Sequence, residues 1–129
     1  MTASPPLSQL LAQSAAMVQG VLAGRSLTEL LAGVPTALRP GTQALSFEAM
    51  RRLGGAQAVL TLLAQRAPAK EVSALLLATI ALLWPRDAAL YADHTLVDQA
   101  VHAARARSPA AAGFVNAVLR RFVRERAAL

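Results

Sequence analysis

The chain has 129 residues, enough for one domain around a single core. Hydrophobic residues make up 55% of it, which excludes a disordered chain, and the aromatic share of 4% with abundant Ala and Leu favours packed helices over a sheet. There is no cysteine, which excludes a disulfide framework, a thiolate metal site and a cysteine nucleophile, and the net charge of +6 comes almost wholly from arginine.

Met1 to Pro6 reads as a loose tail. A first helix is predicted over Leu7–Leu22, because Leu7, Leu10, Leu11, Ala15, Val18 and Leu22 repeat every three or four residues. Gly24 suits a left-handed cap just beyond it. Ser26-Leu27-Thr28-Glu29 is a capping box, in which the Ser26 hydroxyl accepts from the Glu29 N–H and the Glu29 carboxylate reaches back to the Ser26 N–H. It opens a short helix to about Ala32. Gly33, Pro35, Pro40 and Gly41 then break the pattern, so residues 33–45 are expected to be a loop. Ser46 is the expected N-cap of a helix from Phe47 to about Gln65. Gly54-Gly55 inside that helix implies either a weak point or a closely approaching backbone.

After Pro68, an apolar helix is expected from Ala69 to Trp84, ended by Pro85. Its longest apolar run, Val72 to Trp84, is broken only by Ser73 and Thr79 and is shorter than the roughly 18 residues a membrane span needs. It reads as the central helix of the fold. Residues 85–93 form a second expected loop, and Thr95 to Asp98 cap a helix to about Ala106. Ser108-Pro109 signals the start of a last helix to about Arg126. No strand-like alternation and no internal repeat is visible. The expected fold is all-α, an orthogonal bundle of about six helices. No secretory signal is read, since no basic residue precedes Arg25 and Pro5-Pro6 interrupts the start, so the expected location is cytoplasmic.

The charge is concentrated at one end. Residues 100–129 hold six arginines (Arg105, Arg107, Arg120, Arg121, Arg124 and Arg126) against Glu125, which is +5 of the total +6. A local cluster of this kind is a footprint for a polyanion. At 100° per residue, with Asn116 at zero, Arg120 falls at about 40°, Arg124 at about 80° and Arg121 at about 140°. Gly113 and Ala117 share that arc. Phe114, Val115, Val118, Leu119, Phe122 and Val123 fill the remainder and are expected to face the core. Arg105, Arg107, Asn116, Arg120, Arg121 and Arg124 are therefore the candidate polyanion-binding residues: the arginines for phosphate, and Asn116 for a base or sugar should the polyanion be a nucleic acid. Few aromatics are free for stacking, so among nucleic acids a structured one suits this face better than a bare single strand.

Other constellations carry less. His94, Asp98 and His102 are spaced i, i+4, i+8, yet His94 sits at or before the expected helix start and the three span a long arc, so no metal site is expected. No P-loop, Rossmann fingerprint or nucleophile triad is present. An amphipathic basic helix can lie on a membrane, but the apolar arc is needed for the core, so no membrane partner is expected.

The stretch Ala111-Ala112-Gly113-Phe114-Val115-Asn116-Ala117-Val118-Leu119-Arg120-Arg121-Phe122 resembles the Gly-Phe-Val-Asn-Ala-Val-Leu-Arg-Arg signature of NusB-like domains. It is most similar to the version that opens the bacterial small-subunit rRNA cytosine-C5 methyltransferases of the RsmB (Sun) type. Thr95 to Val101 resembles the family's preceding segment, and Ala16 to Leu30 its opening helix and Ser-Leu turn. The resemblance covers most of the chain and is weakest over 33–45 and 85–93. It implies an all-helical, non-catalytic RNA-binding domain spanning 1–129 that docks on small-subunit rRNA. The S-adenosylmethionine site and cysteines of the full enzyme belong to a catalytic domain expected to be absent here, so no cofactor is expected in this chain. Two departures stand out. The antitermination factor NusB has an arginine-rich N-terminal segment, whereas residues 1–24 hold no arginine, and Asp98-Gln99 replaces the usual Asn-Glu. The alternative is a protein-interaction module of the NusB type, contacting its own catalytic domain or a ribosomal protein, as a monomer or weak dimer.

Overall fold

The computed structural model describes residues 4–129. Seven α-helices follow in order: α1 (Leu7–Leu22), α2 (Leu27–Ala32), α3 (Arg39–Arg51), α4 (Leu53–Leu63), α5 (Lys70–Leu83), α6 (Asp93–Arg107) and α7 (Ala112–Glu125). Short 3-10 turns at Thr36–Leu38 and Pro109–Ala111 lead into α3 and α7. No strand occurs among the described residues, so the chain is all-α. The expected tail over 1–6 lies partly outside the described residues, and residues 4–6 carry no regular structure.

The fold is organised by α5. Every residue from Ala74 to Leu83 is buried, because neighbours surround this helix on all sides: it packs on α1, α3, α4, α6 and α7. A helix that is apolar all round requires such an environment. Its one central hydroxyl, on Thr79, is satisfied within the helix by donating to the Leu75 carbonyl at 2.8 Å. Leu10, Leu11, Ala15 and Val18 of α1 join the same core, as do Val115, Val118, Leu119 and Phe122 of α7. Met17, Leu31 and Val34 form a smaller apolar cluster where α2 crosses α1.

Local signals place α1 and α2 as expected. Gly24 takes φ +94°, and the Arg25 N–H returns to the Gly20 carbonyl at 3.0 Å, a Schellman closure of α1. The Ser26 hydroxyl accepts from the Glu29 N–H at 3.5 Å, but the return bond from the Glu29 carboxylate does not form among the described residues. The start of α1 has no local side-chain cap; instead Gln99 of α6 accepts from the Ser8 N–H at 3.1 Å. That contact gives a structural role to one of the two positions that depart from the family pattern.

The expected loop over 33–45 is mostly helix. Pro40 stands in the first turn of α3, where the N–H it lacks has no intrahelical partner to lose. Gly41 is a packing site: a Cβ there would meet Leu10 Cδ1 at 2.9 Å, so the missing side chain lets α3 close on α1. Ser46 is therefore not an N-cap but a buried residue inside α3, its hydroxyl without a partner among the described residues.

The single helix expected over 47–65 is broken at Arg52 into α3 and α4. The Gly54-Gly55 pair opens α4, and what approaches is a side chain rather than a backbone: a Cβ on Gly55 would lie 2.8 Å from Cη2 of Trp84. Trp84 in turn packs on Phe122 with ring centroids 6.0 Å apart, seating α7 against the end of α5. Two boundaries also move. Helix α6 begins at Asp93 rather than near Thr95, and the α-helical part of α7 begins at Ala112, because Ser108-Pro109 opens a 3-10 turn and the Ser108 hydroxyl caps nothing.

Candidate nucleic-acid interface

Helices α6 and α7 run side by side, joined by Ser108 and the 3-10 turn. Helix α7 buries Val115, Val118, Leu119 and Phe122, half-buries Val123, and leaves Gly113, Ala117, Arg120, Arg121 and Arg124 exposed. The amphipathic division expected from its sequence is therefore present, with one exception. Phe114, at the edge of the apolar arc, is 40% exposed.

A groove follows the α6–α7 seam. One half is lined by Asp98, Val101 and Arg105 from α6 and by Ala112, Gly113, Asn116 and Arg120 from α7. The other half is lined by Asp93, His94, Val97 and Asp98 from α6 and by Arg120, Val123 and Arg124 from α7. Asp98 and Arg120 belong to both halves. Each wall is a helical stripe: Asp98, Val101 and Arg105 on α6, and Gly113, Asn116, Arg120 and Arg124 on α7. The small residues at 112 and 113 keep the floor of the first half open.

The guanidiniums are unevenly engaged. Arg120 Nε donates to Asn116 Oδ1 at 3.0 Å, which orients the guanidinium without neutralising it. Arg105, Arg120 and Arg124 are exposed and make no ion pair with a carboxylate among the described residues. Arg121 does: its Nε lies 2.6 Å from Glu125 Oε2, one helical turn on. Both side chains of that pair are about half exposed, so the pair holds Arg121 only weakly.

The family model for the NusB family matches residues 7–124. The chain belongs to the NusB family. No curated protein and no solved structure matches it significantly. Domains of this family bind RNA or proteins, on a fold that is not catalytic.

Within this NusB domain, the structure gathers four of the six candidate residues into the groove: Arg105, Asn116, Arg120 and Arg124. Arg121 lines neither half; like Phe114 it is exposed on α7 outside the groove. Arg107 is elsewhere. It lies across α6 from Arg105, beside Gln9, Gln19, Glu71 and His102 on the α1 side. Two residues apart on a helix means roughly 200° of rotation, so proximity in sequence places these two arginines on opposite flanks. Arg126, which belonged to the charge cluster, is not displayed either. It grips Asp93 through two bonds of 3.0 and 2.8 Å and donates to the Leu83 carbonyl at 3.0 Å.

His94 is on α6 after all, one residue past its start, and lines the groove with Asp98, whereas His102 has rotated to the α1 side. No group of three metal-ligating side chains comes together among the described residues. Likewise no helix among them is long and apolar enough to cross a membrane.

Sequence reading missed the acidic side of the groove. Residues 100–129 carry +5, but the groove's two helices begin at Asp93. Over 93–126, six arginines face Asp93, Asp98 and Glu125, leaving +3. The usable signal was the i, i+3, i+7 spacing of Asp98, Val101 and Arg105, which repeats that of Gly113, Asn116 and Arg120 on α7.

Proposed function

We propose that the α6–α7 groove binds an RNA backbone and that the domain docks a small-subunit rRNA cytosine-C5 methyltransferase onto its substrate. Methyl transfer from S-adenosylmethionine would occur on a separate catalytic domain. The observation that carries this reading is the set of exposed guanidiniums on Arg105, Arg120 and Arg124, which share one groove and have no carboxylate partner among the described residues. In a core-packed helix pair, such groups are free to exchange water for phosphate oxygens, releasing counterions from the nucleic acid. Asn116 extends the contact surface within the groove, and the exposed Arg121 extends it along α7. The methyltransferase assignment rests on the Gly113–Arg121 signature.

Anisotropy titration of labelled small-subunit rRNA fragments tests the binding. The Arg120→Ala/Arg124→Ala variant is expected to bind more weakly at low salt, and unchanged affinity contradicts the proposal. Ultraviolet crosslinking in cells tests the methyltransferase assignment. Crosslinks concentrated on mature small-subunit rRNA support the methyltransferase reading, and crosslinks confined to the leader of nascent transcripts contradict it.

The second reading, a protein-interaction module contacting a catalytic domain or a ribosomal protein, draws on Phe114. An aromatic ring left 40% exposed is the residue type enriched at protein interfaces. It predicts that Phe114→Ala abolishes complex formation while RNA affinity is undetectable in the wild type.

A further inference from the structure

Every polar group in the groove is a donor or is already engaged, with two exceptions. Both oxygens of Asp93 are held by Arg126. Asn116 Oδ1 accepts from Arg120, so its amide presents N–H groups. Arg105, Arg120 and Arg124 only donate. His94 keeps one ring acceptor at the far end. The other exception is Asp98, an exposed carboxylate on the wall common to both halves, with no hydrogen bond and no ion pair among the described residues.

A free carboxylate is out of place in a groove built only for phosphate, because it repels the ligand that the arginines attract. It has a use if the groove also reads a base. An ionised carboxylate accepts and cannot donate, and its two oxygens match two donors side by side. On the Watson–Crick edges, guanine alone offers that pair, from N1–H and the N2 amino group. Adenine and cytosine set a ring acceptor beside their amino group, and uracil flanks its one N–H with two carbonyls. The edge is reachable only where the base is unpaired, which is where proteins read RNA sequence.

We propose that Asp98 selects an unpaired guanine in the bound RNA, with Arg105, Arg120 and Arg124 holding the phosphates on either side. This rests on the RNA-binding reading of the groove, and the test separates the two.

The measurement is anisotropy titration of the whole chain with an RNA hairpin whose loop of A and U bears one central unpaired guanine. The same RNA with inosine, which lacks the N2 amino group, or adenine at that position is compared with it. Wild type is expected to prefer guanine over adenine about tenfold, the scale of a good bidentate base contact, with inosine between. Asp98→Asn is expected to lose the preference while binding the adenine RNA more tightly, since the repulsion is removed. Arg120→Ala is expected to weaken all three RNAs alike and keep the preference. Wild-type binding without a guanine preference overturns the role of Asp98 and leaves the groove reading standing. So does an Asp98→Asn variant that gains affinity for all three RNAs equally and keeps the preference. Absence of binding to any of the three, together with no binding to rRNA fragments, overturns both.

Discussion

Arg124 and Arg126 are two residues apart at the same end of α7 and are used in opposite ways. Arg126 reaches across to the end of α5 and the start of α6, where a free carbonyl on Leu83 and the carboxylate of Asp93 absorb its donors. Arg86 does the same nearby, donating to the Ala81 carbonyl at 2.7 Å and pairing with Glu48 at 3.1 Å. Arg124, with Arg105 and Arg120, meets no such acceptor and remains in the groove. The difference is not in the residue but in what the neighbouring element leaves unsatisfied. The last turn of a helix has carbonyls without intrahelical partners, and an arginine within reach becomes part of the fold. Arg105 and Arg124 stand in the last turns of α6 and α7, yet neither bonds a carbonyl or a carboxylate among the described residues, so both stay available to a ligand.

The comparison can be broken most severely through the residue that supports both regions. Phe122 is buried against Trp84 and seats α7. Phe122→Ala is expected to cost about 3–5 kcal/mol in urea denaturation, with RNA affinity lost as the helix pair loosens. Arg126→Ala comes next. It removes a partly exposed two-bond pair with Asp93 and a bond to the Leu83 carbonyl, so a loss of about 1–2 kcal/mol is expected. RNA affinity should change far less than in a groove variant. Gly55→Ala forces the Trp84 ring to move and is expected to cost about 1–2 kcal/mol by thermal melting, again with little effect on RNA affinity in the folded protein. Arg107→Ala sharpens the contrast from the other side: its stability should stay within about 0.5 kcal/mol of wild type and the salt dependence of RNA binding should not change, because Arg107 lies outside the groove.

What the sequence made legible follows from range. Helices α1, α2 and α5 were readable because their signals are local: an apolar stripe, a glycine beyond the end, a serine cap, a solid apolar run. Helix α3 was not, because Pro40 and Gly41 look like breakers until Leu10 of α1 is placed beside them. The arginine face of α7 was readable from its periodicity. Its partner wall was readable only in part: Arg105 was named from the charge cluster, but Asp98 was not, since it joins the site only when α6 lies against α7, and Arg107 was drawn in by nearness along the chain. The uncapped start of α1 shows the same limit: Gln99, 91 residues away in sequence, completes it.

The central claim is that the groove arginines, and not the capping ones, meet RNA phosphates. The most direct measurement is the slope of log affinity against log salt concentration for a small-subunit rRNA fragment, taken for wild type, Arg120→Ala/Arg124→Ala and Arg126→Ala. The account predicts a slope shallower by about one for each groove arginine removed, hence about two for the double variant, and little change for Arg126→Ala. A double variant with the wild-type slope, or an Arg126→Ala variant with the larger change, would contradict it.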